Sequence, residues 1–346
     1  MLKAVLLAGA GIASIATVTV AAAEPAPRPM FAVEPIKRAG NHRATSLPTW
    51  VFSWTYNGTK YNATFVGTNP SGGASTTVPV ELIPVILKWE TTKENPNTKW
   101  ASAKASPTAL TAASPIFDAT TDYTQGGTDL GATQYEDAFQ RAALWGTVSS
   151  NTGYHVLLGK PTIEKPLKLT VPKASGKLGS PFGTQVLEVD INWFDNAIQS
   201  TIAKYPADSL PIFITSNTYL TSGGGCCIGG YHSYTGTQAY SHFTFIKATG
   251  TFAEDVAALS HEVGEWLDDP LIDNSVACGI YEVGDPLEGG QSGHPYGTWA
   301  YPLNGFTYHL QDLVLPPYFG APTSTSVNGW LTFQGYTGLK VCSNGG

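Results

Sequence analysis

From Trp50 onward the chain turns strand-like. Trp50-Val51-Phe52-Ser53-Trp54 and Tyr61-Asn62-Ala63-Thr64-Phe65-Val66 flank Asn57-Gly58, which predicts a β-hairpin. Thr76 to Trp89 is a further β-rich stretch. Thr133 to Trp145 places Tyr135, Ala138, Phe139, Ala142 and Ala143 on one side of a helix. Asp190 to Lys204 predicts a second helix. Leu210-Pro211-Ile212-Phe213-Ile214 is an apolar run of buried-strand length, and Tyr240 to Lys247 predicts a strand ahead of a Thr249-Gly250 turn. No internal repeat is visible, and no linker interrupts residues 49–346. The expectation is one α+β unit, β-rich over about 49–110.

The most informative periodicity follows. Thr251-Phe252-Ala253-Glu254 fits a capping box, so a helix is expected from there to about Leu267, ending before Pro270. At about 100° per residue, Phe252, Val256, Leu259, Val263, Trp266 and Leu267 share one side. His261, Glu265, Glu254 and Asp268 share the other, with His261 and Glu265 adjacent at i and i+4.

Composition narrows the class. Charged residues are 13% of the 346-residue chain, against roughly 25% in an ordinary soluble domain. Gly (37), Pro (24), Tyr (16) and Trp (9) are abundant, as expected of a loop-rich, β-containing exported fold. The net charge of −7 and the lack of basic runs argue against nucleic acid as a partner. Lys3, the apolar stretch Ala4 to Val20 and Ala21-Ala22-Ala23 form an export signal over residues 1–23. Residues 24–48, rich in proline and basic residues, form an extended leader. No later stretch approaches a membrane span, so the mature chain is expected to be secreted, extracellular or periplasmic.

The cysteines, Cys226, Cys227, Cys278 and Cys342, form an even set of 4 in an exported chain, which implies disulfides. Adjacent cysteines hardly reach disulfide geometry, so one of the neighbouring pair is expected to bond Cys278 and the other Cys342. Asn57-Gly58-Thr59 and Asn62-Ala63-Thr64 fit the glycosylation sequon.

The candidate chemistry sits on the last helix. His261-Glu262-Val263-Gly264-Glu265 resembles the HExxH motif of zincin metallopeptidases, with Glu265 in place of the second histidine. One helical turn sets His261 and Glu265 side by side as ligands of a divalent ion, one Zn²⁺ by expectation. Glu262 is placed beside the ion as general base toward water. The extra carboxylate makes zinc a weaker Lewis acid or favours a harder ion. Asp285 follows Glu265 by 20 positions, a spacing similar to the gluzincin branch, and is the first choice for third ligand. Glu282 is the second choice. The alternative is a solvated acidic helix face. His232, His294, Tyr296 and His309 are candidates for steadying a tetrahedral intermediate, with His232 foremost because it follows the cysteine pair. Gly290-Gln291-Ser292-Gly293 has no matching His or Asp context for a serine nucleophile.

A second resemblance covers roughly residues 210–346. Cys226-Cys227 before Tyr231-His232, Asp269-Pro270, Ala277-Cys278-Gly279, Asn304-Gly305 and Cys342 are similar in order to the phosphate-induced, EXORDIUM-like secreted proteins and their bacterial relatives. That resemblance implies export, an extracellular or cell-wall role and a zincin-like C-terminal half. Two function classes follow. One is a secreted zinc metallopeptidase or other metal hydrolase acting on a peptide or protein. The other is a non-catalytic protein bound to a cell-wall component, with a structural or relic metal site.

Overall fold

A computed structural model describes residues 46–91, 106–236 and 238–343. The expected export signal and residues 24–45 of the leader lie outside the described residues. The hairpin forms as expected, with Thr49–Tyr56 paired antiparallel to Thr59–Val66 in continuous register. Asn57 (φ 47°) and Gly58 (φ 80°) both take the left-handed conformation that a tight two-residue hairpin loop requires.

The centre of the molecule is a 6-stranded mixed sheet. Val80–Trp89, Leu210–Ser216 and Gln238–Phe245 run parallel side by side. The edge strand Gly230–Thr235 turns back antiparallel onto Gln238–Phe245. Thr162–Ile163 and Leu167–Val171 pair with successive parts of Val80–Trp89 on its other side. Leu210–Ser216 is buried along its whole length, which explains its uninterrupted apolar run: both faces of a parallel sheet are covered. Phe213, Ile83 and Val85 pack with Phe194, Ile198 and Ile202 of the helix Ile191–Ile202, whose first turn is capped by the Asp190 carboxylate. Ile212, Ile214 and Leu82 belong to the other cluster, which extends through Leu259 and Val263 to the hairpin and the C-terminal segment.

The helix expected near 133–145 is Tyr135–Ala143. The helix that carries His261 spans Ala257–Asp268 and packs on Gly230–Thr235 and Gln238–Phe245, so an α+β fold with this helix laid on a sheet is present. Its start differs from expectation. Thr251 Oγ1 donates to Ala248 O, Glu254 accepts from Gly250 N–H, and Ala253 and Asp255 have positive φ. Residues 251–256 are therefore spent on a turn, and Val256 opens the helix without a side-chain cap.

The disulfide pairing also differs. Cys226 joins Cys227 across a cis peptide bond, and Cys278 joins Cys342. The cis bond brings the neighbouring Cα atoms to 3.0 Å, a geometry that the expectation of a trans chain did not contain. Among the described residues, no helix is long and apolar enough to cross a membrane.

Candidate metal centre

All 12 residues of Ala257–Asp268 are buried, so the helix has no solvated acidic face. Its polar side points at the edge strand Gly230–Thr235 and at the loop carrying Glu282 and Asp285. That loop is fixed from below. Tyr281 packs against Phe65, Trp54 and Phe319, and Val314 N–H donates to Val283 O. Asp285–Leu287 forms a short 3₁₀ turn. The Cys278–Cys342 bridge ties the start of the same segment to the C-terminal end. Pro270 cannot continue the helix, and the Asp269 carboxylate accepts from the backbone of Asp273 and Asn274 just beyond it.

The residues expected as ligands converge. His261 Nε2 lies 2.9 Å from Glu265 Oε1 and 3.5 Å from Asp285 Oδ1. One ligand atom from each of these residues falls within 4.8 Å of the others. His232, Glu265 and Glu282 form a second group that meets the same limit. Asp285 and Glu282, first and second choices for one position, thus stand on two sides of Glu265. His232 Nδ1 is 3.3 Å from Glu262 Oε2 and 3.6 Å from Glu265 Oε2.

Hydrogen bonds behind the two imidazoles set which nitrogen faces forward. Gln311 Nε2 donates to Gly284 O, which turns its Oε1 toward His261 Nδ1 at 2.6 Å. The Nδ1–H of His261 donates there, which leaves Nε2 directed at Glu265 and Asp285. His232 makes the mirror arrangement. Its Nε2 lies 3.3 Å from Asp269 O, a pure acceptor, so Nε2 carries a proton there and Nδ1 faces Glu262 and Glu265. Tying the rear N–H of an imidazole to a carbonyl is how metal-ligating histidines are held.

Electrostatics agree with a site built for positive charge. Burial opposes charge on both imidazoles, yet Glu265 and Asp285 hold His261, and Glu262 and Glu265 hold His232, well above the ordinary histidine value. Burial pushes Glu262 up to about 8, against the pull of His232 and His261. Burial also opposes ionisation of Glu265, but His261 and His232 outweigh it and hold this carboxyl below its usual range. Glu282 is raised well above that range, by burial and then by Glu265. Glu262 Oε1, Glu265 Oε2 and Glu282 Oε2 are buried with no hydrogen-bond partner among the described residues. Asp285, with its side chain 41% exposed, forms the open rim.

The other candidates lie apart from this cluster. His294 stacks on Trp299 at 3.6 Å and sits 3.2 Å from Thr298 O. Tyr296 packs on Phe252. His309 pairs with Asp255 at 2.7 Å and Glu254 at 3.5 Å. Gln291 joins Asp312 through its side-chain amide, and Gly290 and Gly293 make the surrounding chain a turn.

Four residues were missed in the sequence. Gln311 orients His261, and Ser260 Oγ accepts from Gln311 N–H to hold it there. Gly284 leaves room for the imidazole, since a Cβ there would lie 2.3 Å from His261 Nδ1. Gly230 does the same for Glu262, whose Oε1 would be 2.8 Å from a Cβ. The Gly-Asp pair after Tyr281-Glu282-Val283 and the glycine before Tyr231-His232 were the available signals. Gln311 offered none, because its role comes from a strand 50 positions from His261.

Comparison with known proteins finds no matching family model, no matching curated protein and no matching solved structure. A functional reading therefore rests on the geometry above.

Proposed function

We propose that the chain is a secreted, metal-dependent hydrolase of zincin-like type, a zinc metallopeptidase, whose ion is held by His261, Glu265 and Asp285. The observation that carries this reading is the forward Nε2 of His261, aimed at two carboxylates by the Gln311 bond behind it. An ion bound there would take the place of the proton that these carboxylates favour on His261. An imidazole and two carboxylates suit zinc, and a bound ion supplies Lewis acidity toward water and toward a substrate carbonyl.

The remaining roles belong to the chain itself. Glu262 presents Oε1 without a hydrogen-bond partner while Oε2 faces His232. Oε1 is the atom that takes a proton from attacking water and returns it to the leaving group. His232 orients Glu262 and Glu265. Gly230 and Gly284 keep the space around Glu262 and His261 clear. Water and substrate enter from the Asp285 rim, the exposed side of the cluster.

A second reading is favoured by burial. His261, Glu262 and Glu265 are 0% exposed, which suits a structural ion in a non-catalytic extracellular or wall-associated protein. Glu262→Gln separates the two. A hydrolase keeps its metal and fold in this variant and loses cleavage of a peptide library by about 10²-fold or more. Metal in both proteins with no turnover in either would establish the non-catalytic reading. Equal cleavage by both would remove Glu262 as the base.

A further inference from the structure

Glu265 points its two carboxylate oxygens in different directions. Oε1 faces His261 Nε2 at 2.9 Å, and Oε2 faces His232 Nδ1 at 3.6 Å. Glu265 belongs to two sets of ligand residues, one with His261 and Asp285 and the other with His232 and Glu282. The two sets are built alike. Each has one imidazole whose rear nitrogen is turned to a carbonyl oxygen, Gln311 Oε1 or Asp269 O. Each has one acid from the same short loop, three positions apart in Glu282-Val283-Gly284-Asp285. Both share Glu265.

Charge leads to the same place. Glu262, Glu265, Glu282 and Asp285 bring four carboxylates around two imidazoles. Among the described residues, no lysine or arginine pairs with any of them. Glu262, Glu265 and Glu282 are buried, where an uncompensated carboxylate costs several kcal/mol or more. Glu265 Oε2, which faces His232, and Glu282 Oε2 are among the buried oxygens without a hydrogen-bond partner.

We propose that the centre is dinuclear: Glu265 bridges two divalent ions, one held by His261 and Asp285 and the other by His232 and Glu282. This rests on the reading of His261, Glu265 and Asp285 as a metal site and adds a second ion to it. Carboxylate-bridged ions of hydrolytic centres lie about 3.5–4 Å apart and clamp both the attacking and the departing oxygen of a substrate. Glu262 remains free to act through Oε1, since only its Oε2 faces His232. A centre of this kind suits substrates whose hydrolysis places charge on two oxygens, the attacking and departing oxygens of a phosphate ester or the attacking and carbonyl oxygens of a peptide amide, whose amine leaves with a proton.

The test is ion stoichiometry on the full-length protein. Chelated protein is reloaded with Zn²⁺, freed of excess and analysed for metal per chain. The wild type is expected to hold two ions, His232→Ala and Glu282→Gln one each, and Asp285→Asn one. Reloading with Mn²⁺ is expected to give the electron paramagnetic resonance spectrum of an exchange-coupled pair in the wild type and of an isolated ion in Glu282→Gln. The wild-type stoichiometry and spectrum need no variant to fold. A wild type that saturates at one ion, lost in His261→Ala and kept in Glu282→Gln, overturns the second ion and leaves the first standing. A wild type that takes up no ion overturns both.

Discussion

The same residue types meet twice in this molecule, with opposite consequences. Around His261 and His232, Glu265 Oε1 accepts from Gly284 N–H, but Glu262 Oε1, Glu265 Oε2 and Glu282 Oε2 stand buried with no donor. Around His309, Glu254 and Asp255 form an equally tight histidine-acid group, also within 4.8 Å. There the acceptors are filled. Asp255 Oδ1 accepts from the N–H groups of Val256 and His309, Asp255 Oδ2 faces His309 Nδ1, and Glu254 accepts from Gly250 N–H. That group holds a turn to a strand ahead of the helix. Composition and proximity do not distinguish a ligand site from a structural clasp. What distinguishes them is whether buried oxygens are left without a donor.

The sharpest test of the contrast is paired deletion. His261→Ala should abolish binding of an ion at its side of the centre together with any hydrolysis, while His309→Ala should keep full metal content by elemental analysis. Loss of metal in both would mean that the two groups are not different in kind. Gln311→Ala should follow in size. Removing the group that orients a ligating imidazole typically lowers metal affinity by about 10- to 100-fold, which competition with a chelator measures. Asp255→Asn, in the other group, should leave that affinity unchanged.

Gly284→Ala sharpens the packing side of the same point. The added methyl would approach His261 Nδ1 within 2.3 Å, so the ring or the loop must shift. Overpacking of this kind costs about 1–3 kcal/mol, read as a lower denaturation midpoint together with weaker metal binding. Gly250→Ala, at a turn glycine with φ 68°, should destabilise without touching metal affinity.

The smallest expected effect is a pH dependence at His309. The Asp255 carboxylate raises this imidazole above its ordinary value, with burial opposing. A histidine whose folded pKa is raised contributes stability that is full below the unfolded value of about 6.5. That contribution is lost as pH rises through the folded value. Its size is about 1 kcal/mol or less at this partly exposed position. The difference in denaturation midpoint between wild type and His309→Ala should therefore shrink from pH 6 toward alkaline pH. A difference that grows instead would reverse the assigned sign.

Much of this was legible in the chain. Asn57-Gly58 between two β-prone runs identified the first hairpin, and the apolar run at Leu210 identified a doubly covered strand. The i, i+4 spacing fixed that His261 and Glu265 would be neighbours, because helical periodicity is a local property of the backbone. Asp285 and Glu282 could be ranked as first and second choice for one ligand position, but not placed relative to Glu265. The helix start was misjudged because Thr251 and Glu254 have the capping pattern yet bond to Ala248 and Gly250.

By itself, then, the sequence determined which side chains a single helix sets together and which segments become strands, since both follow from spacing along one element. Only the tertiary structure decided the rest. It turned His232 on the edge strand toward Glu262 and Glu265, and put Gln311 behind His261. It placed Glu282 and Asp285 on two sides of one carboxylate, and paired Cys278 with Cys342. These contacts join residues 17 to 64 positions apart. The packing of the sheet, helix and loop around a shared core brings them together, and no local periodicity encodes that packing.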